Sequence, residues 1–275
     1  MGLSIDSRTT LNNGTLIPAL GLGVYQTQPG AVAERAIGYA LEIGYRHIDT
    51  ASMYGNEESV GRAVRRSGLA REDVFITTKL WNTDHGYESA MQACRESLER
   101  LGLDYVDLYL IHWPVKELRA ESWRALEGLH EEGVCRSIGV SNYMTWHLEE
   151  LLASCEVIPA VNQVEFSPFL YQKELLYFCR QEGIQLEAYS PLTKGKRLKH
   201  RELKAIADEY GRTPAQVLIR WALQHELVVI PKSVNPDRIR ENSQVFDFII
   251  STEHMEQLDG LNEDLRTSWD PSTQP

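Results

Sequence analysis

Eight short, mostly apolar runs recur along the chain, and a segment patterned as an amphipathic helix separates each from the next. The runs cover residues 19–25, 47–51, 74–80, 106–112, 137–142, 161–166, 185–190 and 228–233. Several are too apolar for a sheet with one wet face, so they read as strands covered by helices. The helical pattern is clear after the third run. Met91, Cys94, Leu98 and Leu101 repeat at spacings of three and four, while Arg95, Glu96, Glu99 and Arg100 fill the opposite face. Strands that alternate with helices pair in parallel. Eight such units in 275 residues match a (β/α)8 TIM barrel, which needs ~250. An open dinucleotide fold would carry G-x-G-x-x-G after an early strand. Here Gly21-Leu22-Gly23 runs on into Val24-Tyr25-Gln26, and the third glycine is missing. The expected architecture is therefore one α/β domain over residues 1–275. A short hairpin precedes it, with Asn12-Asn13-Gly14-Thr15 turning between Thr10-Leu11 and Leu16-Ile17.

Two late helix starts are also legible. Thr213-Pro214-Ala215-Gln216 pairs a capping Thr with Pro at the first helical position and Gln at the third, and Asn235-Pro236-Asp237 opens a helix in the same way. The four cysteines have no C-x-x-C spacing, and three of them lie among apolar neighbours in helical-looking segments. Reduced, buried thiols are expected. The net charge of −11 argues against nucleic acid as a partner. No run approaches the ~20 apolar residues of a membrane span, and no basic-then-apolar leader is visible, so a cytoplasmic monomer is expected.

Function in such a barrel collects at the carboxyl ends of the strands. Asp49 falls near the end of the second strand, Tyr54 in its loop, Lys79 at the end of the third, and His112 at the close of the fourth. Each has a plain structural reading: strand-end cap, loop aromatic, one half of an ion pair, hydrogen-bonded core histidine. A charge inside an apolar strand needs a partner, and Asp49 suits Lys79. Together the four make a proton-donating device. A tyrosine is a poor acid near its ordinary pKa of about 10. An adjacent ammonium is expected to lower that value, and a neutral His112 could orient a substrate oxygen. This suits protonation of an oxyanion forming on a carbonyl, with hydride supplied by a cofactor. Metal chemistry is not expected, because neither H-E-x-x-H nor a cluster at ligand spacing is present. A G-x-S-x-G elbow is also missing.

The stretch Val228–Asn242 ends a strand in Lys232-Ser233 and then opens a helix. Loops after the last strands of such barrels commonly hold phosphate, helped by helix N-terminal N–H groups. Lys232, Ser233 and Arg238 concentrate donors there in an otherwise acidic chain. This is either a solvated basic helix start or a grip on a 2′-phosphate, which would select NADP over NAD.

These residues resemble the aldo-keto reductase family over nearly the whole chain. The most specific stretches are Gly44-Tyr45-Arg46-His47-Ile48-Asp49-Thr50-Ala51, Asp107-Leu108-Tyr109-Leu110-Ile111-His112-Trp113-Pro114, Ile138-Gly139-Val140-Ser141-Asn142 and Ile230-Pro231-Lys232-Ser233. The resemblance implies Asp49, Tyr54, Lys79 and His112 as a catalytic tetrad with Tyr54 as general acid. It implies Ser141, Asn142 and Gln163 at the nicotinamide carboxamide and Tyr189 stacked on the ring. Ser190 and Leu192 fall at the pyrophosphate, Lys232, Ser233 and Arg238 at the 2′-phosphate, and Glu241 and Asn242 at the adenine. Gly23 and Val234 count with the cofactor contacts. Tyr25, Trp81 and Trp113 resemble the walls of the substrate pocket, with His112 beside the carbonyl. The segments 115–120 and 193–200 are short, as in the microbial branch that reduces diketogluconate and methylglyoxal. That implies an open pocket for small aldehydes and α-dicarbonyls. The tail after Arg266 is brief and carries Trp269. A non-enzymatic NADPH-binding sensor, as potassium-channel β-subunits of similar fold are thought to be, is the alternative. The complete tetrad favours the enzyme. A lyase or isomerase would leave Tyr54 and His112 idle.

Overall fold

The structure is a computed structural model and describes residues 2–273. The hairpin forms first, with β1 (Arg8–Thr10) antiparallel to β2 (Leu16–Pro18). Eight parallel strands follow: β3 (Leu22–Gly23), β4 (His47–Asp49), β5 (Phe75–Leu80), β6 (Val106–Ile111), β7 (Cys135–Ser141), β8 (Val161–Glu165), β9 (Gln185–Tyr189) and β10 (Val228–Val229). Each pairs with its sequence neighbour, in the order β3 through β10. Parallel bridges from Leu20 to Val229 and from Gly23 to Lys232 join the first strand to the last, so the sheet closes into the (β/α)8 barrel.

The two seam strands are shorter than the expected runs 19–25 and 228–233. Hydrogen bonding nevertheless continues past them: Gly21 N donates to Val229 O, Val229 N to Ala19 O, and Gly23 N to Pro231 O. Pro231 has no N–H to return, which breaks the regular ladder there. Glycine is needed at the seam. A Cβ on Gly23 would stand 3.0 Å from Ile230 O, and one on Gly21 would stand 2.7 Å from His47 Nδ1.

Helices α1 (Ala31–Glu42), α2 (Glu57–Arg66), α3 (Tyr87–Leu101), α4 (Arg119–Glu131), α5 (Thr145–Leu152) and α6 (Lys173–Gln181) alternate with β3 to β9. Two helices, α7 (Arg201–Glu209) and α8 (Pro214–Gln224), separate β9 from β10, and α9 (Pro236–Ser243) and α10 (Thr252–Asp259) follow. The caps behave as their chemistry dictates. Thr213 and Gln216 form a full capping box at the start of α8, and Asn235 Oδ1 accepts from Arg238 N at 3.1 Å to open α9. On α3, Met91, Cys94, Leu98 and Leu101 all face inward. Cys94 and Cys179 lie on helices as expected. Cys135 instead starts β7, its Sγ 3.6 Å from that of Cys94, and all four cysteines are free thiols.

Side chains two apart on a strand share a face, and the barrel interior changes character from bottom to top. The amino-terminal end is apolar. Phe75, Leu108, Leu110, Val161 and Val228 pack with Leu11 and Ile17 of the hairpin, which plugs that mouth. Two residues further along the same faces come Thr77 and Lys79, His112, Gln163 and Glu165. His47 with Asp49, and Glu187 with Tyr189, continue the pattern on β4 and β9. The carboxyl end is therefore polar and charged. No helix is long and apolar enough to cross a membrane.

Candidate active site

Asp49 is the last residue of β4, and Lys79 is the fifth of six on the neighbouring β5. Both are buried. Lys79 Nζ donates to Asp49 Oδ1 at 2.7 Å, to Asp49 Oδ2 at 2.8 Å and to Thr50 O at 2.8 Å. An ammonium in so dry a place is held by this set of acceptors. Tyr54 ends the 3-10 turn Ser52–Tyr54, and Ser52 Oγ ties that turn to Lys79 O at 3.0 Å. The turn brings Tyr54 Oη to 3.4 Å from Lys79 Nζ. His112 follows β6, its N donating to Leu80 O, and its ring meets Tyr54 edge-on at 5.6 Å. Four residues spread over 64 positions of sequence thus meet at one rim.

The acidity of Tyr54 departs from the sequence-based expectation. Its pKa lies well above the ordinary value rather than below it. Burial is the main cause, and the Asp49 carboxylate is the next. The Lys79 ammonium does not reverse this, because burial and the Asp49 carboxylate outweigh it. The phenol therefore stays protonated, as a proton donor must. His112 moves the other way. Burial first and Lys79 second push its pKa well below the usual imidazole range, so the ring is neutral. Its Nδ1 is buried without a hydrogen-bond partner among the described residues.

A second polar group adjoins the first. Ser141 ends β7, and Asn142 follows with φ of 64°, a left-handed conformation that Asn tolerates. Ser141 Oγ donates to Gln163 O at 2.8 Å, Asn142 Nδ2 to His112 O at 2.9 Å, and Tyr189 Oη to Asn142 Oδ1 at 2.8 Å. Gln163 Nε2 reaches Asp49 Oδ2 at 2.8 Å. The carboxamide-site candidates are thus wired to the tetrad. Ser190 leaves β9 with φ of 48°, and Leu192 is half-buried just beyond. At the seam, Gly23 bridges to Lys232. Lys232, Val234 and Arg238 are exposed, while Ser233 is buried, its Oγ accepting from Asn235 N at 3.1 Å. On α9, Asn242 is buried, and Glu241 Oε1 accepts from Thr213 Oγ1 at 2.7 Å. These donors and cations fit a phosphate-bearing ligand lying from the seam to the rim.

Aromatic rings surround the phenol. Tyr25 lies 5.0 Å from Tyr54, and Trp81 lies 5.1 Å from His112. Trp269 completes the wall, 6.4 Å from Trp81 and 5.5 Å from Trp113. The tail that carries Trp269 is fastened by a residue that sequence reasoning missed. Glu165, the buried last residue of β8, accepts from Thr267 N at 2.8 Å, from Thr267 Oγ1 and from Ser268 N at 3.0 Å. Lys194 Nζ adds a bond to Thr267 O at 2.7 Å and stands 5.8 Å from the Tyr25 ring centroid. The signal was present in the sequence, since a carboxylate inside an apolar strand needs partners just as Lys79 does. Among the described residues, no group of three His, Cys, Asp or Glu side chains is placed to hold a metal ion.

A closed barrel with this rim is the architecture of the α/β-barrel oxidoreductases. More narrowly, the chain belongs to the aldo/keto reductase family, whose model matches residues 19–263. It is 50% identical to a glyoxal reductase of Bacillus subtilis (strain 168) over 271 residues, covering 98% of each chain. An aldo/keto reductase structure from Brucella melitensis superposes with a TM-score of 0.90 at 48% identity, covering 93% of this chain and 99% of that one. A Bombyx mori aldo-keto reductase solved in complex with NADP superposes at 0.89 with 34% identity, covering 96% of this chain and 95% of that one. Carbonyl reduction with a nicotinamide cofactor is the chemistry of this family.

Proposed function

We propose that the protein reduces aldehydes and reactive ketones, including α-dicarbonyls and sugar-derived carbonyls, to alcohols with NADPH, and that Tyr54 is the general acid. The observation that carries this is the Lys79 ammonium, bound by both Asp49 oxygens and Thr50 O and still within 3.4 Å of Tyr54 Oη. When bound, the nicotinamide supplies hydride to the carbonyl carbon. Neutral His112 offers an N–H that orients the carbonyl oxygen beside Tyr54. Tyr54 gives that oxygen its proton, and the resulting phenolate, stabilised by Lys79, regains a proton from solvent. Ser141, Asn142 and Gln163 supply the amide-binding donors and acceptors, and Tyr189 a flat face. Ser190 and Leu192 line the path to the phosphates. A screen of NADPH oxidation against methylglyoxal, an aromatic aldehyde, a simple ketone and a steroid ketone tests this reading. Turnover of the aldehydes ahead of the ketones is expected. Failure of every carbonyl alongside tight NADPH binding would favour the sensor instead.

The choice of NADPH rests on Lys232, Ser233 and Arg238. Arg238→Ala is expected to weaken NADPH binding about tenfold, the loss of one charge-assisted hydrogen bond of ~1.5 kcal/mol or more, and to leave NADH binding little changed. Fluorescence titration with both cofactors measures this, and equal losses would assign Arg238 to helix packing.

Substrate preference rests on the aromatic wall. Trp269→Ala removes a ring contact worth ~0.5–1.5 kcal/mol. It is expected to raise KM for an aromatic aldehyde roughly three- to tenfold by the same estimate, and to change KM for methylglyoxal far less. Steady-state kinetics on both substrates checks the contrast.

A further inference from the structure

The barrel interior holds a carboxyl group that the catalytic scheme does not use. Glu187, on β9, is fully buried and sits two residues below Tyr189 on the same inward face. Its Oε2 accepts from Gln163 Nε2 at 3.0 Å, directly across the β8–β9 register pair Gln163–Glu187. Its Oε1 has no hydrogen-bond partner among the described residues and lies 3.6 Å from His47 Nε2. His47 is buried and engaged with Thr77 Oγ1 at 3.0 Å. Burial first and Lys79 second push its pKa down to about 3, so it is neutral and gives Glu187 no charged partner. Asp49, Lys79 and Tyr54 are the other ionisable groups that face this cluster, and Gln163 is the amide within it.

We propose that Glu187 is a positioning residue of the reductase site, holding Gln163 against Asp49 as a neutral carboxylic acid and throttling turnover when it ionises.

The geometry behind this is simple. Gln163 Nε2 is shared between two carboxyl oxygens, Asp49 Oδ2 and Glu187 Oε2. Turning the amide over would set its oxygen against the Asp49 carboxylate, which can only accept, so its nitrogen is locked inward. The Gln163 Oε1 is then the atom left to accept from a cofactor amide, a step that rests on the nicotinamide reading above. The second part concerns charge. Burial, then the nearby Asp49 carboxylate, raise the Glu187 pKa to about 8, while the Gln163 hydrogen bond and Lys79 oppose the rise. Glu187 is therefore neutral through neutral pH. Once ionised, it puts a second negative charge beside the Asp49–Lys79 pair and strengthens the hold of Tyr54 on its proton. A weaker acid protonates the carbonyl oxygen more slowly.

Three proteins decide the matter: wild type, Glu187→Gln and Glu187→Ala. Wild-type turnover of methylglyoxal is expected to fall as pH rises through about 8. In Glu187→Gln, which cannot ionise, that fall moves upward by about a pH unit or more. NADPH binding, followed by fluorescence, is expected to weaken roughly three- to tenfold in Glu187→Ala, as one lost hydrogen bond predicts, and to recover most of that loss in Glu187→Gln. Thermal melts without cofactor give an independent reading. An acid whose folded pKa is raised favours the fold at low pH and loses that contribution as pH climbs from about 4 to about 8. The melting temperature of Glu187→Gln should therefore gain on wild type across that window. A pH-independent difference in melting, or an alkaline fall unmoved by Glu187→Gln, would overturn the proposal. A wild type that neither binds NADPH nor reduces an aldehyde would sink the reductase reading, while the melts would still report the charge state of Glu187.

Discussion

Tyr54→Phe is expected to lower turnover of an aldehyde by ~10²–10⁴-fold, the usual worth of a positioned general acid, with NADPH binding retained. The variant keeps the ring that packs at 5.0 Å from Tyr25 and 5.6 Å from His112, and removes only the hydroxyl 3.4 Å from Lys79 Nζ. The cofactor candidates Ser141, Asn142, Gln163 and Lys232 do not depend on that oxygen. Single-turnover absorbance of the reduced nicotinamide, with a parallel fluorescence titration, separates the two effects. Turnover near the wild-type level would remove Tyr54 from the mechanism and point to His112 or solvent as the proton source.

Lys79→Met should damage both activity and fold. It leaves Asp49 buried and without its counter-ion, with Gln163 Nε2 its remaining side-chain donor. Breaking one side of a buried pair typically costs ~3–5 kcal/mol. In a chain of this size that is a fall of roughly 10 °C in melting temperature. The double variant Asp49→Asn/Lys79→Met removes both charges together. It should recover a good part of the stability and none of the turnover, because Tyr54 still lacks its ammonium. Melting curves and aldehyde kinetics on the two variants check this. Equal stability of the single and double variants would show that an unpaired Asp49 carboxylate is not what destabilises Lys79→Met.

That Lys79 needs Asp49 follows from one rule, that a charge in an apolar strand must be partnered. The same rule applied to Val161-Asn162-Gln163-Val164-Glu165 and Gln185-Leu186-Glu187-Ala188-Tyr189 would have singled out Glu165 and Glu187. It could not have said with what they pair. Glu165 meets Thr267 and Ser268, a hundred residues away, and Glu187 meets Gln163 and approaches His47. The Tyr54 shift runs against the sequence-based expectation for a related reason. Proximity of an ammonium is legible in the strand order, but the burial and the Asp49 charge that outweigh it depend on everything packed around the phenol.

What the sequence by itself determined is the local grammar: the order of strands and helices, the hairpin, the caps at Thr213 and Asn235, and the placing of Asp49, Lys79 and His112 at strand ends with Tyr54 in the loop after Asp49. Those features repeat every two or every 3.6 residues, or span a single turn, so neighbouring residues suffice to specify them. The tertiary structure alone decided four things: closure of the seam through Gly21, Gly23 and Val229, the latching of the Trp269 tail by Glu165 and Lys194, the wiring of Gln163 to both Asp49 and Glu187, and the protonation of Tyr54. Each depends on contact between segments far apart in the chain, 114 residues for Gln163 and Asp49 and 102 for Thr267 and Glu165. Their energies come from burial and from the removal of water, which exist only after the barrel has closed.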